Sequence, residues 1–391
     1  MDAPPKRIKL ALLTTDAREH HREYDKPEPY FGAAPAALVE GFVSLQNEIE
    51  VHLVACTQRP LKSPERLAAN IWFHSLVVPK FGWMRTAYQG CIRATRKKLR
   101  ELRPDVVHGQ GTERDCAMCA VFSGFPNVIT IHGNMVELAR LFKNPIGSFG
   151  WLAARLENFA LKRTRGVFCN SAYTESLVKP RTLRTWRVPN PLRSQFFSPS
   201  KPASSGGKPV LVNVGVINPR KRQLELLNVA ESLHRRGLAV DFHFIGQATP
   251  GESYSDAFLE RVRQAEREGY AHYLGCKSVA QLVECFNLAS ALIHFPTEEA
   301  FGLVVAEALA RNLKFFGARV GGINDIADRV LGAELYELNE WDGLTAGITQ
   351  WVRNGCVKPS GADTVMRSRY SPEVVAQRHV EIYREVLKTV E

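Results

Sequence analysis

Two carboxylates eight positions apart, Glu299 and Glu307, frame a Phe-Gly pair and a run of aliphatic residues in EEAFGLVVAEA (298–308). Apolar runs this clean are ordinarily core, so acids at both ends set the stretch apart. Upstream, ALIHFPTE reads as a buried strand closing in a proline-marked loop, and after Gly302 LVVAEALAR reads as a helix. The acids therefore bracket a strand–loop–helix junction, where backbone N–H groups point outward and the helix dipole favours an anion. Such a junction suits a ligand that offers hydroxyls to the carboxylates and phosphates to the helix end. Gly302 permits close backbone approach, and Phe301 can wall the pocket. The plainer alternative is a pair of surface acids interacting with a helix start.

A second stretch, VNVGVINPRKRQLELL, ends a strand at Gly215 and delivers Arg220, Lys221 and Arg222 to the start of a helix. Cations at that end oppose the dipole, and a bound phosphate would resolve the conflict. A solvated basic turn is the competing reading. Gly32, in YFGAAPAAL, opens the first expected helix as half of a phosphate-binding turn. His108 in VVHGQG and His132 in ITIHGN close strands; a lone histidine there is more often structural, and His132, followed by Gly133, is the better ligand candidate. Gly321-Gly322 before a further helix offers another backbone contact for phosphate. EHHREYD, near residue 20, mixes histidines with acids but lacks one-face helical spacing, so a surface loop is expected. Cys116 and Cys119 have no second pair at zinc-like spacing and read as a helix face. No metal site is expected.

These residues all follow expected strands. KLALLTT, VHLVAC, DVVHGQG, NVITIHG and GVFCNSA alternate with PAALVEGFVSL, YQGCIRATRKKLREL and FGWLAARLENFALKR, which carry helical periodicity. After FFSPSKPASSGGKP the alternation restarts with PVLVNVG, VDFHFIG, HYLG, ALIHF and LKFFG. Alternating strands and helices imply parallel sheets, hence an α/β chain of two doubly wound domains facing across a cleft. The expected organisation is an N-terminal domain over 1–195, a linker over 196–208 and a C-terminal domain over 209–370. A last helix over 371–391, capped by Ser371 with Pro372 in its first turn, is expected to pack back toward the N-terminal domain.

A length of 391 residues favours two domains over one, and 23% charged with 45% hydrophobic residues is ordinary for a globular protein. The opening apolar run is too short for a signal peptide, no window has transmembrane length, and the eight cysteines are scattered without a disulfide framework. The expected location is the cytoplasm, or the periphery of the membrane's inner face. The net charge of +11 is unevenly spread. Residues 1–195 hold 29 Lys and Arg against 17 Asp and Glu, while the remainder holds 22 against 23. An anionic partner for the first half is the sharper reading of that imbalance, and a solubilising surface the blander one.

Taken together, these stretches resemble the retaining glycosyltransferases of the GT-B fold, in the large family of bacterial α-mannosyl- and α-glucosyltransferases (glycosyltransferase family 4-like). That family's motif is a Glu, seven residues and a second Glu, with Phe-Gly after the first acid; here Glu299, Phe301, Gly302 and Glu307 match it. Glu298 would break the spacing. The loop 215–222 resembles the family's phosphate loop with Lys221 on its lysine, and VPNP (188–191), the Gly-Gly turn and SPEVVAQRHVEIY resemble further segments. The likeness spans nearly the whole chain and is most specific over 209–326. One departure is Val216, where the family commonly has arginine, so Arg220 is the expected substitute. Gly32-Ala33 also stands where two glycines are frequent.

The resemblance implies a nucleotide diphosphate sugar as co-substrate, with no metal and no other cofactor. It places Glu307 on the ribose hydroxyls, Lys221 and Arg220 on the diphosphate, and Glu299 with the backbone of Phe301, Gly302 and Leu303 on the sugar. His132 would reach that sugar from the opposite domain. The acceptor would be a glycan, lipid-linked or small-molecule hydroxyl, and no nucleic-acid partner is expected. A sugar-nucleotide epimerase of similar fold, or an inactive member serving as a binding scaffold, are the alternatives. A periplasmic-type sugar-binding protein would want a secretion signal and no basic phosphate loop. For the acceptor side, CIRATRKKLRELR (91–103) can form a helix with Ile92, Leu99 and Leu102 on one face and Arg93, Arg96, Lys97, Arg100 and Arg103 on the other. That cationic face suits an anionic carrier or membrane, although charge runs are usually solvated faces.

Overall fold

The computed structural model describes residues 6–199 and 207–388. Contacts divide the chain into two compact units. The first runs to Arg193 and regains the chain from Tyr370 onward; the second is Ser194–Arg369.

The first unit is built on an eight-stranded sheet: β1 (Ile8–Leu13), β2 (Ile49–Thr57), β3 (Arg66–Ala68), β4 (Ile71–Val77), β5 (Val106–Gln110), β6 (Asn127–Ile131), β7 (Val167–Cys169) and β8 (Thr185–Arg187). Their order is β3-β4-β2-β1-β5-β6-β7-β8, and only β3 runs antiparallel to its neighbour. The five strands expected from the sequence are present. β3, β4 and β8 are additional, because RLA, IWFHSLV and TWR lack the continuous apolar runs that mark a doubly covered strand. The helix Pro372–Lys388 belongs to this unit and buries Val375, Ala376, Val380, Ile382 and Tyr383. It crosses the helix Ala33–Ser44 so closely that a Cβ on Gly41 would stand 2.0 Å from the Pro372 carbonyl oxygen. Only glycine fits there.

The second unit carries a six-stranded, wholly parallel sheet: β9 (Val210–Val214), β10 (Asp241–Ile245), β11 (Ala271–Tyr273), β12 (Ala291–His294), β13 (Lys314–Ala318) and β14 (Ala333–Tyr336). The order is β11-β10-β9-β12-β13-β14. β14 was not expected, since its residues are all half-buried and its sequence AELY mixes helix and strand formers. Leu211, Phe242, Phe244, Phe258, Ile293 and Phe316 lie in one buried core.

Of the linker expected over 196–208, residues 200–206 lie outside the described residues. Its beginning is structured: Phe196 and Phe197 are buried in a 3₁₀ turn, and Arg367 Nη2 donates to the Phe197 carbonyl at 2.6 Å. The two phenylalanines explain why this stretch packs despite its proline and serine.

In each sheet the chain starts centrally and winds outward in both directions, so a switch point falls between β1 and β5 and between β9 and β12. Ligands of such sheets bind beyond the strands' carboxyl ends at that point. In the second unit the loops leaving β9 and β12 flank it.

Candidate functional site

In the second unit, the loop after β9 and the loop after β12 are tied by Thr297 N–H donating to the Arg220 carbonyl at 2.8 Å. This brings together residues that the sequence separates by 78 positions. Lys221 Nζ donates to Glu299 Oε2, while Arg220 Nη1 bonds the Glu298 carbonyl at 2.8 Å and its carboxylate at 3.2 Å. The two adjacent acids thus divide the two adjacent cations. Arg222 is turned away: it bonds the Leu338 carbonyl and lies over the Trp341 ring at 4.4 Å. The conflict between loop cations and the helix Gln223–Arg235 is therefore offset inside the chain by Glu298, Glu299 and a ring face.

His294, the last residue of β12, was missed in the sequence. Its Nε2 lies 3.3 Å from Glu299 Oε2 and 3.4 Å from Lys221 Nζ, and its buried Nδ1 has no hydrogen-bond partner. The available signal was a histidine five residues before the motif acid, at the carboxyl end of an otherwise aliphatic strand. Burial, with Lys221 adding to it, pushes His294 down to about 4. Burial would raise the Glu299 carboxyl, but Lys221, His294 and Arg220 together hold it well below the usual carboxylate range. Lys221 is itself lowered, because burial outweighs the pull of Glu299. Glu298 is raised by burial against the opposing Arg220. The site is a nearly dry, charged cluster at a switch point.

Gly302 has φ +100° and caps the helix Leu303–Leu309, so its backbone conformation, beyond any ligand approach, calls for glycine. Phe301 is buried, and Glu307 is buried in the second turn of that helix. Gly322 packs under the same loop: a Cβ there would lie 2.5 Å from the Ala300 carbonyl oxygen and 2.6 Å from Phe301 Cα. Its N–H donates to the Glu299 carbonyl at 3.0 Å. The Gly-Gly turn thus clamps the Glu299 loop rather than standing open for phosphate. Val216 is half exposed at the mouth of the loop after β9.

In the first unit, His132 follows β6 and its Nε2 meets Gln110 Oε1 at 2.9 Å. Burial pushes its pKa down to about 4, against a hydrogen bond with Asn190 that raises it. His108 is structural: Nδ1 meets Tyr383 Oη at 2.6 Å and Nε2 meets Thr130 Oγ1 at 2.7 Å. Gly32 precedes the helix Ala33–Ser44 at φ −54°, and a Cβ would meet only Pro35 Cδ, at 3.7 Å. Neither backbone strain nor crowding within the chain demands glycine there. The EHHREYD segment is not simply a loop: Ala17–His21 form one helical turn, Glu19 is buried and accepts from Gln58 N–H at 2.8 Å, and both histidines are exposed. The segment 91–103 is helical over Gln89–Leu102, burying Cys91, Ile92, Thr95 and Leu99 and exposing Arg93, Arg96, Lys97 and Arg100. Cys116 and Cys119 are buried on one helix, but Cys56, Cys91 and Asp115 converge beside them, as do Asp241, His243 and His272 in the second unit. Neither cluster is visible as a linear motif.

A two-unit α/β chain with a cationic loop and paired acids at a switch point has the makings of a sugar-nucleotide enzyme. The family model for "Glycosyl transferases group 1" matches residues 194–365, and that for "Glycosyltransferase Family 4" matches residues 37–191. The chain belongs to these GT-B glycosyltransferases, family 4-like. It is 23% identical over 210 residues to the phosphatidylinositol N-acetylglucosaminyltransferase GPI3 subunit of Saccharomyces cerevisiae, a match covering 52% of this chain. The matched region is 46% of that protein, so less than half of the relative's length is represented. Sucrose-phosphate synthase from Thermosynechococcus elongatus shares the fold with TM-score 0.76 at 15% identity, covering 98% of this chain and all of that one. HepE from Anabaena, solved in complex with UDP-glucose, shares it with TM-score 0.69 at 15% identity, covering 97% of this chain and 100% of HepE. Among the described residues no helix is long and apolar enough to cross a membrane.

Proposed function

We propose that this glycosyltransferase is a retaining hexosyltransferase that takes its sugar from a nucleotide diphosphate sugar. The observation that carries the reading is the Lys221–Glu299–His294 cluster beside Arg220 at the carboxyl ends of β9 and β12. On this reading Lys221 and Arg220 exchange their carboxylate partners for the diphosphate and stabilise the charge that develops as it leaves. Glu299, with the backbone N–H groups of Phe301, Gly302 and Leu303, grips the sugar hydroxyls, and Glu307 accepts from the ribose hydroxyls. His294, neutral at physiological pH, orients Glu299 and Lys221 as a positioning residue. The family resemblance supports a catalytic role for His132 at the sugar and a donor contact for Gly32. Retention follows from attack on the face the diphosphate leaves, the sugar's bond to the phosphate oxygen breaking as the acceptor's bond forms and the acceptor's proton passing to the departing phosphate, or from a covalent sugar–enzyme intermediate. Cations of the chain supply the charge, so transfer requires no metal.

Two features favour an anionic, lipid-linked acceptor at the membrane's inner face: the exposed cationic helix Gln89–Leu102, and the phosphatidylinositol in the name of the yeast relative. Val216, where a second cation is common, favours the rival reading of a sugar-nucleotide-binding scaffold. Incubation with labelled sugar nucleotides, with and without acceptor and with EDTA, separates these. Acceptor-dependent transfer that survives EDTA and retains the anomeric configuration by early-time NMR is expected. Turnover without acceptor would indicate epimerisation, and saturable binding without turnover would indicate the scaffold.

A further inference from the structure

The edge of the second sheet assembles a different chemistry. β11 is the edge strand and pairs with β10 in parallel, in a register that sets His272 opposite His243. Asp241 stands two residues before His243, so the two share a face of β10, while Phe242 and Phe244 point into the core from the other. Asp241 Oδ2 lies 3.2 Å from His243 Nε2, and Oδ1 lies 3.4 Å from His272 Nε2. The two imidazoles meet edge to face at 5.5 Å, and one ligand atom from each of the three residues lies within 4.8 Å of the others.

Hydrogen bonding accounts for only half of this arrangement. His243 satisfies Oδ2, but Oδ1 is buried without a hydrogen-bond partner even though His272 stands beside it. The spacing also fits an ion. Tetrahedral bonds of about 2.0–2.1 Å set neighbouring donors roughly 3.3–3.4 Å apart; His272 Nε2 stands 3.4 Å from Asp241 Oδ1, and His243 lies within the 4.8 Å span of the group. The side chains of Asp241, His243 and His272 are 20%, 25% and 39% exposed, so an ion reaches them without unfolding. Two imidazoles and one carboxylate suit Zn²⁺ and its borderline neighbours, whereas Mg²⁺ and Ca²⁺ prefer oxygen throughout.

We propose that Asp241, His243 and His272 bind one Zn²⁺-class divalent ion that ties the edge strand β11 to β10, its fourth position open to solvent. The site begins at the first residue of β10, whereas the candidate donor loops leave the strands at their carboxyl ends. The ion therefore stands apart from sugar transfer, and the inference does not rest on the proposed function. Calorimetric titration of Zn²⁺ into the metal-stripped full chain should show a saturable site that raises the thermal midpoint. H243A/H272A should weaken that binding at least about 100-fold, more than loss of a supporting contact alone, and leave nucleotide affinity unchanged. Because Cys56, Cys91 and Asp115 are a second potential sink for zinc, the variant rather than the stoichiometry decides. If the variant fails to fold, Cu²⁺ electron paramagnetic resonance on the unmodified chain decides instead, with hyperfine coupling from two imidazole nitrogens expected. Absence of saturable binding, unchanged affinity in the folded variant, or a copper spectrum without that coupling would overturn the proposal.

Discussion

Two basic regions, one in each unit, use their cations in opposite ways. At the end of β9, Arg220, Lys221 and Arg222 are all engaged within the chain by Glu298, Glu299, a carbonyl and an aromatic ring. On the first unit's helix Gln89–Leu102 and the residue after it, Arg93, Arg96, Lys97, Arg100 and Arg103 are exposed, and none has an ion pair among the described residues. Both regions are basic in sequence, yet the physics differs. Buried, paired charges act at short range, resist salt and hold a preset geometry; exposed ones act across a Debye length of roughly 8–10 Å and fade with salt. The first arrangement suits one specific anion, and the second suits an extended anionic surface.

The largest expected effect comes from breaking a buried pair. Glu299→Ala leaves Lys221 without its principal partner, a change that typically costs about 3–5 kcal/mol for a buried pair. Folding stability in urea at pH 7 should fall by about that amount, and turnover by more than tenfold. Glu307→Ala, by contrast, should mainly weaken nucleotide binding, by roughly tenfold or more from the loss of a charge-assisted bond. Equal stability of Glu299→Ala and the wild type would remove the buried-pair half of the comparison.

The dry clusters also carry a pH signature. His294 and His132 titrate at about 4 when folded, below their value of 6.5 in the unfolded chain. Between those values the unfolded state binds more protons, so stability should fall as pH drops from 6.5 toward 4, by roughly 1.4 kcal/mol per pH unit for each such histidine. Below about 4 these contributions flatten. Glu299 works in the same direction, since its depressed pKa stabilises the fold above the unfolded carboxylate value of 4.5 and that stabilisation is lost on acidification. His294→Asn should reduce the slope in urea titrations at pH 7, 5.5 and 4.5. An unchanged slope would mean that His294 is not held neutral by the fold.

Much of this architecture is legible in the sequence because buried parallel strands are continuous apolar runs, and ten of the fourteen strands announce themselves so. β3, β4, β8 and β14 do not, being short, antiparallel or half-buried. At the candidate site, the motif acids and the loop cations can be read as types and spacings. Their partnering cannot, because Lys221 meets Glu299 only through the β9–β12 pairing. His272 joins Asp241 and His243 for the same reason, since sheet register sets it opposite His243, whereas His294 stands only five residues before Glu299. The Gly-Gly turn shows the converse, a motif whose strictness comes from packing under Phe301.

Smaller effects sharpen the contrast between the units. Arg220→Ala should weaken diphosphate-sugar binding by about tenfold, as loss of a charge-assisted bond implies, and Val216→Arg in that background should restore part of it. A donor dissociation constant unmoved by Arg220→Ala would leave Lys221 as the single diphosphate cation. On the first unit, reversing Arg96, Lys97 and Arg100 to glutamate should abolish salt-sensitive sedimentation with anionic vesicles, at about 1 kcal/mol per charge near the surface, with nucleotide affinity intact. Equal binding of the wild type to neutral and anionic vesicles at low salt would remove the membrane assignment.

The proposed donor site requires the Lys221 ammonium to leave Glu299 for a diphosphate. Thermal-shift screening against a nucleotide panel identifies the base, after which calorimetry can compare the matching nucleoside diphosphate and monophosphate on the wild type and on Lys221→Met. The wild type should prefer the diphosphate by at least about tenfold, one charge-assisted bond, and Lys221→Met should lose that preference while keeping its monophosphate affinity. An undiminished preference for the diphosphate in Lys221→Met would contradict the proposal.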